Sequence, residues 1–167
     1  MSNRKGDKWE RRYRNALSAT DPTDPDDREA VDRFGIRDFG FVQNFTCLRI
    51  PASGAGVDFD LPDLHVWLRT GEAEVDQFAV EVKAGRERAR FKKHGGDGGV
   101  PALKRYAEAT GATPIAFVHI DYTGDFVIHA DELHETGKAH TFTKARDVDN
   151  GSVDFRDWVE SPNDLRH

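Results

Sequence analysis
The apolar positions of this chain change period along its length, and each change marks an element. From Asp7 to Leu17, the residues Trp9, Tyr13 and Leu17, joined by Ala16, recur at helical spacing and predict a helix with one buried stripe. Asp7 reads as its N-cap, and Glu10 three residues later completes a capping-box pattern. The stretch Ser18 to Asp27, with Pro22, Pro25 and four aspartates, cannot continue that helix and reads as an acidic loop. Arg28 to Phe34 forms a short second helix, ended by Gly35. Strand patterns follow at Phe41 to Ile50, Leu61 to Arg69 and Gln77 to Lys83, with a hairpin connection at Gly71. Residues 84–100 are polar and glycine-rich and predict a mobile basic loop. Pro101 then sits at the start of a helix that runs to Thr110 and closes at Gly111. Ile115 to Ile120 and Phe126 to His129 are the last strands, around a turn at Thr123-Gly124. Asp131 to Glu135 and Asp154 to Val159 are short helices, after which the chain frays. This order predicts an α/β fold with a central mixed five-stranded sheet flanked by helices.

Length changes the picture little, since 167 residues fit one domain with no internal repeat or linker. The single cysteine, Cys47, excludes an intrachain disulfide and points to a reducing compartment. The longest apolar runs span only a few residues, well short of the roughly 20 that a membrane helix needs. The basic first residues have no apolar stretch behind them and do not read as a secretory signal. The expectation is an intracellular, cytoplasmic protein without a membrane segment.

Charge says more. Asp outnumbers Glu 20 to 10 and Arg outnumbers Lys 16 to 8, a balance suited to the salty cytoplasm of a halophile. The net charge is -6, yet residues 1–14 carry a local +4 and residues 83–105 a local +6. Two basic stretches in an acidic protein read as a localised face for an anionic partner.

The candidate chemistry lies in Pro62-Asp63 and Glu81-Val82-Lys83. Alternate strand residues share a face, so Glu81 and Lys83 project together while Phe78, Val80 and Val82 point into apolar packing. Asp63 opens the neighbouring strand, where its carboxylate can meet Glu81 across the hairpin. A Glu-x-Lys pair by itself is ordinary on a solvated strand. Here the rest of the strand is apolar, and burying unpaired charge there is costly, which favours a functional cluster. Two carboxylates beside an ammonium group suit a divalent cation with oxygen ligands, Mg²⁺ or Mn²⁺, and phosphodiester hydrolysis. Other chemistries lack their parts. The seven histidines form no zinc spacing, Gly95 to Gly99 lacks the Gly-Lys-Ser/Thr of a P-loop, and Ser53 sits in no nucleophile elbow.

In sequence order, these motifs resemble the archaeal Holliday-junction resolvases, within the restriction-endonuclease-like PD-(D/E)xK nucleases. Arg4-Lys5-Gly6 with Glu10-Arg11 is similar to the family's N-terminal motif, and Gly40-Phe41 to the start of its first strand. Arg49 with Ser53-Gly54 resembles its arginine and serine loop. Leu61-Pro62-Asp63-Leu64 and Val80-Glu81-Val82-Lys83 resemble its metal-binding strands. Leu103 to Ala107, Gly111 to Pro114 and Phe126 to Leu133 resemble the helix and closing strands. The resemblance implies that Glu10, Asp63 and Glu81 bind Mg²⁺, that Lys83 stabilises the transition state, and that Ser53 acts in the active-site loop. It implies that Arg4, Lys5, Arg11, Arg12 and Arg49 hold DNA phosphates, and that a homodimer places two sites on a four-way junction. Under it the core is about 1–135, with an acidic insertion over 18–38 and a C-terminal extension over 136–167. His119 stands where the family carries an arginine. A PD-(D/E)xK nuclease acting on other branched, linear or damaged DNA, and a catalytically idle DNA-binding homologue, are the alternative readings.

Overall fold
The computed structural model describes residues 4–50, 61–92, 99–137, 139–148 and 150–162. Helix α1 (Arg4–Leu17) buries the expected stripe of Trp9, Tyr13, Ala16 and Leu17. It starts earlier than the sequence predicts, because Arg4 and Lys5 are good helix formers. Asp7 therefore lies inside the first turn and caps nothing, and the capping-box expectation is corrected. Helix α2 (Pro25–Asp32) also starts early. Asp24 accepts a hydrogen bond from the Asp26 amide, and Pro25 stands where a missing N–H costs nothing. The next apolar run is divided: Asp38 caps one helical turn, α3 (Phe39–Val42), and extended chain begins only at β1 (Phe45–Arg49).

Strands β2 (Leu64–Arg69) and β3 (Val75–Gly85) form the predicted hairpin. The largest departure follows β3. Arg88–Lys92 is not a loop but strand β4, because Ala89 and Phe91 alternate with the arginines and bury themselves in a second core. Residues 93–98 of the expected loop lie outside the described residues. Helix α4 (Val100–Thr110) ends at Gly111, whose φ of 75° provides the left-handed cap. Strand β5 (Thr113–Ile120) runs parallel to β3, and β6 (Gly124–His129) returns antiparallel. The helix expected at Asp131 to Glu135 is a 3₁₀ turn, Ala130–Glu132, followed by β7 (His134–Glu135). Beyond it come β8 (Ala139–Thr143), α5 (Lys144–Asp147), β9 (Ser152–Asp154) and α6 (Phe155–Glu160). The residues expected to fray, 163–167, lie outside the described residues.

The main sheet has the order β1-β2-β3-β5-β6-β9, so all five predicted strands are present and β9 adds a sixth at the edge. A smaller sheet, β4-β8-β7, packs beside it. Helices α1, α2, α3 and α6 cover one face of the main sheet around Tyr13, Phe78, Phe117 and Trp158. The other face carries α4 and the small sheet around Leu103, Phe91, Val118 and Phe142. One end of the main sheet gathers the close of β1, β3 and β5 with the start of β2 and β6.

Candidate active site
That end of the sheet holds the predicted carboxylates. The β2–β3 register pairs Leu64 with Val80, which sets Asp63 directly across from Glu81. Asp63 Oδ2 accepts a hydrogen bond from the Val82 amide at 2.8 Å, fixing the carboxylate against β3. The Asp63 and Glu81 carboxyls lie close enough for each to shift the other's pKa. Phe78, Val80 and Val82 occupy the opposite face in the core, as alternation requires.

Electrostatics explain why two acids can sit together. Burial pushes Asp63 up to about 6, the nearby Glu10 charge adds to this, and the Val82 amide and Lys83 oppose it. Glu81 is raised well above the ordinary carboxylate range, first by burial and then by Asp63. Glu81 is raised the further of the two, so it is the carboxyl that keeps its proton to higher pH. Lys83, two residues along the same face, favours the ionised form of both.

Glu10 enters from α1. Its side chain is only 12% exposed, and it accepts a hydrogen bond from Arg49 Nε at 2.9 Å. Burial raises its pKa and the Arg49 pair partly reverses the effect. Arg49 Nη2 also lies 3.7 Å from Asp7 Oδ1. Asp7, read from the sequence as a cap, instead helps to neutralise this arginine. Arg49 is therefore spent on α1 carboxylates in this state, although the sequence assigns it to DNA phosphates.

The remaining assignments divide. Arg11 is exposed, and Arg12 is half-buried with its guanidinium 4.5 Å from the Trp9 ring centroid, a cation–π contact. Arg4 and Lys5 open the same helix. Ser53 lies outside the described residues. The brace that seats α1 has no signature in the sequence. Trp9 stacks on His119 with centroids 3.5 Å apart, and the His119 nitrogens lie 3.0 Å from Asp125 and 3.3 Å from Asp121. Tyr13 donates to the same Asp125 oxygen at 2.6 Å. Trp9 and Tyr13 lie far along the chain from His119 and its aspartates, so no local pattern could have paired them.

The donor set suits a hard divalent cation, because it offers oxygen ligands only, from carboxyl groups set opposite one another. Among the described residues no three His, Cys, Asp or Glu side chains stand close enough to enclose an ion as they lie. The pair Asp63–Glu81 is thus the nucleus, and Glu10 is a third carboxylate held back by Arg49. Among the described residues, no helix is long and apolar enough to cross a membrane.

A sequence model of the archaeal Holliday junction resolvase (hjc) family matches residues 36–167. The fold is similar to that of Archaeoglobus fulgidus Hjc, a Holliday junction resolvase from an archaeal hyperthermophile. That likeness has a TM-score of 0.55 and 18% identity, over 70% of this chain and 87% of the other. Identity that low speaks for the fold alone. No curated relative matches the sequence. The family match begins after α1, so the placing of Glu10 rests on its geometry.

Proposed function
This chain belongs to the archaeal Holliday junction resolvase family, structure-specific nucleases that act on four-way DNA junctions, and from that premise we propose which of its residues carry the reaction. Resolvases of this family generally depend on a divalent metal. Here Asp63 and Glu81 would hold the cation, Mg²⁺ or Mn²⁺ by its oxygen donors, with Glu10 as the third carboxylate. When bound, the cation would polarise the scissile phosphate and lower the pKa of attacking water. Lys83 supplies positive charge beside the phosphorane-like oxygens as one P–O bond forms and another breaks. Glu81 must first lose its proton, and Lys83 makes that loss easier. The observation that carries this reading is the half-buried pair Asp63–Glu81, set opposite one another by the β2–β3 register, with Lys83 on the same face. Ser53 belongs to the active-site loop of the proposal. Two copies acting as a homodimer would present two such sites to a substrate that is itself two-fold symmetric.

The direct test incubates the protein with labelled four-way junction and linear duplex, with and without Mg²⁺. Metal-dependent cutting of the junction in preference to duplex is expected. Cutting that is indifferent to EDTA would remove the metal from the scheme.

The raised Asp63 carboxyl gives a second, activity-free test. Folded Asp63 titrates at about 6 against 3.8 for the ordinary carboxyl, so the folded state binds more protons than the unfolded between those values. This contribution to stability is fully present below about pH 4 and is lost as pH rises through 6, with Glu81 extending the loss upward. A shift of about two units corresponds to roughly 3 kcal/mol, or on the order of 5–10 °C in Tm. Without metal, Tm should fall from pH 5 to pH 8, and Mg²⁺ should raise it far more at pH 8. An equal gain at both values, or a gain kept by Asp63→Asn, would count against the pair as ligands.

Phosphate contacts from Arg11 and Arg12 give a third. Affinity should fall linearly with log salt at about -0.9 per phosphate neutralised. The Arg11→Ala/Arg12→Ala protein, measured in Ca²⁺ to suppress cleavage, should flatten that slope by up to about two units and weaken junction and duplex alike. An unchanged slope would leave this helix face as solvated surface.

A further inference from the structure
The turn between β5 and β6 breaks a local rule at the catalytic end of the sheet. The Thr123 amide bonds to the Ile120 carbonyl at 3.0 Å, so Asp121 and Tyr122 are the two central residues of a β-turn. Tyr122 has φ of 60°, and it is the one non-glycine residue with positive φ among those described. A positive φ at this turn position calls for Gly or Asn, and a bulky aromatic is strained there. The side chain is also 100% exposed, so no packing contact offsets the strain. A lone exposed apolar residue is ordinary. An exposed aromatic held in a left-handed backbone, with a glycine two residues away at Gly124, is not.

Its position supplies the third observation. The Asp121 amide bonds to the Gly85 carbonyl at 2.9 Å, which ties this turn to the end of the strand that carries Glu81 and Lys83. Lys83 pairs with Val118, four residues before Tyr122. At about 3.3 Å per strand residue, the Tyr122 backbone stands within roughly 15 Å of that of Lys83. At 3.4 Å per base pair that is about four steps along a duplex arm. The neighbouring Asp121 and Asp125 oppose a phosphate at this spot, whereas an uncharged base face meets no such penalty.

We propose that Tyr122 is a specificity-determining residue whose ring stacks on an unpaired or partly unstacked base at the branch point of the DNA. Every base offers a π-face, so the contact favours branched over continuous duplex without reading sequence. The inference rests on the nuclease reading above and adds to it the feature of the substrate that is recognised.

The experiment measures binding in Ca²⁺ to a four-way junction carrying a fluorescent base analogue at the branch point, and to matched linear duplex. Proteins compared are wild type, Tyr122→Phe and Tyr122→Gly. Glycine adopts this φ without strain, so Tyr122→Gly should melt no lower than wild type. Stacking is worth about 1–3 kcal/mol per base, so Tyr122→Gly should lose on the order of 5–100-fold in junction affinity. Its duplex affinity should be unchanged, and the quenching of the analogue seen with wild type and Tyr122→Phe should vanish. Junction preference kept in Tyr122→Gly, or an equal loss on both DNAs, overturns this inference alone. A wild type with no junction preference overturns the substrate reading, and the inference with it.

Discussion

The Glu81→Gln protein should bind a four-way junction at least as tightly as wild type and fail to cut it. Glu81 is half-buried opposite Asp63, and burial and the Asp63 charge raise its pKa well above the ordinary carboxylate range. Glutamine keeps the shape and can donate a hydrogen bond to Asp63, so Tm should change by little. What it cannot do is ionise. The site then has one fewer negative charge with which to hold a divalent cation, and the cation is the main source of charge stabilisation at the phosphate. A loss of at least about 10³-fold in cleavage, some 4 kcal/mol of barrier, is expected. Binding should move the other way, because a negative charge near phosphates has been removed. The measurement is single-turnover cleavage in Mg²⁺ beside a binding titration in Ca²⁺. Full cleavage by Glu81→Gln would sink the assignment.

How much of this was legible beforehand depended on the range of the interaction. Asp63 and Glu81 could be paired from sequence because a tight hairpin fixes their register and strand alternation fixes their face. The stripe Trp9, Tyr13 and Leu17 was legible for the same reason, since period and burial agree. Strand β4 was missed because its apolar signal is only Ala89 and Phe91, set among charges in a glycine-rich stretch. Its partner β8 lies about fifty residues on, and only that pairing settles the matter. The early start of α1 converted Asp7 from a cap into a partner of Arg49, a contact with no local signature. The Trp9–His119–Asp125 brace is the same kind of case. His119 was noticed only as a replacement for a family arginine. The structure gives it a job in seating the helix that carries Glu10. Turn chemistry misled in one place: Gly124 drew the β5–β6 turn to Thr123-Gly124, whereas its centre is Asp121 and Tyr122.

The Glu10→Gln protein should lose cleavage by at least about 100-fold while its melting temperature stays within a few degrees of wild type. With Asp7 inside the helix, the capping-box explanation for Glu10 is gone, and its remaining structural partner is Arg49. Glutamine still offers an oxygen to Arg49 Nε, and the arginine side of the pair is open to solvent, so the lost charge should cost only about 1 kcal/mol. Stability alone therefore gives no cause for a large rate effect. A catalytic carboxylate does, because neutral glutamine cannot supply the third charge next to Asp63 and Glu81. The Arg49→Ala protein separates the two roles by its pH profile. Burial already raises the Glu10 pKa, and Arg49 is the group that holds it down. Without Arg49 the carboxyl keeps its proton to higher pH, so the acidic limb of the cleavage profile should move upward, and activity should recover as pH rises. Glu10→Gln has no proton to lose and should stay slow at every pH. Single-turnover rates from pH 5.5 to 8.5, with a thermal melt of each protein, make the comparison. A Glu10→Gln protein that cuts at the wild-type rate and melts slightly lower would return Glu10 to a purely structural role, leaving Asp63 and Glu81 to hold the cation alone.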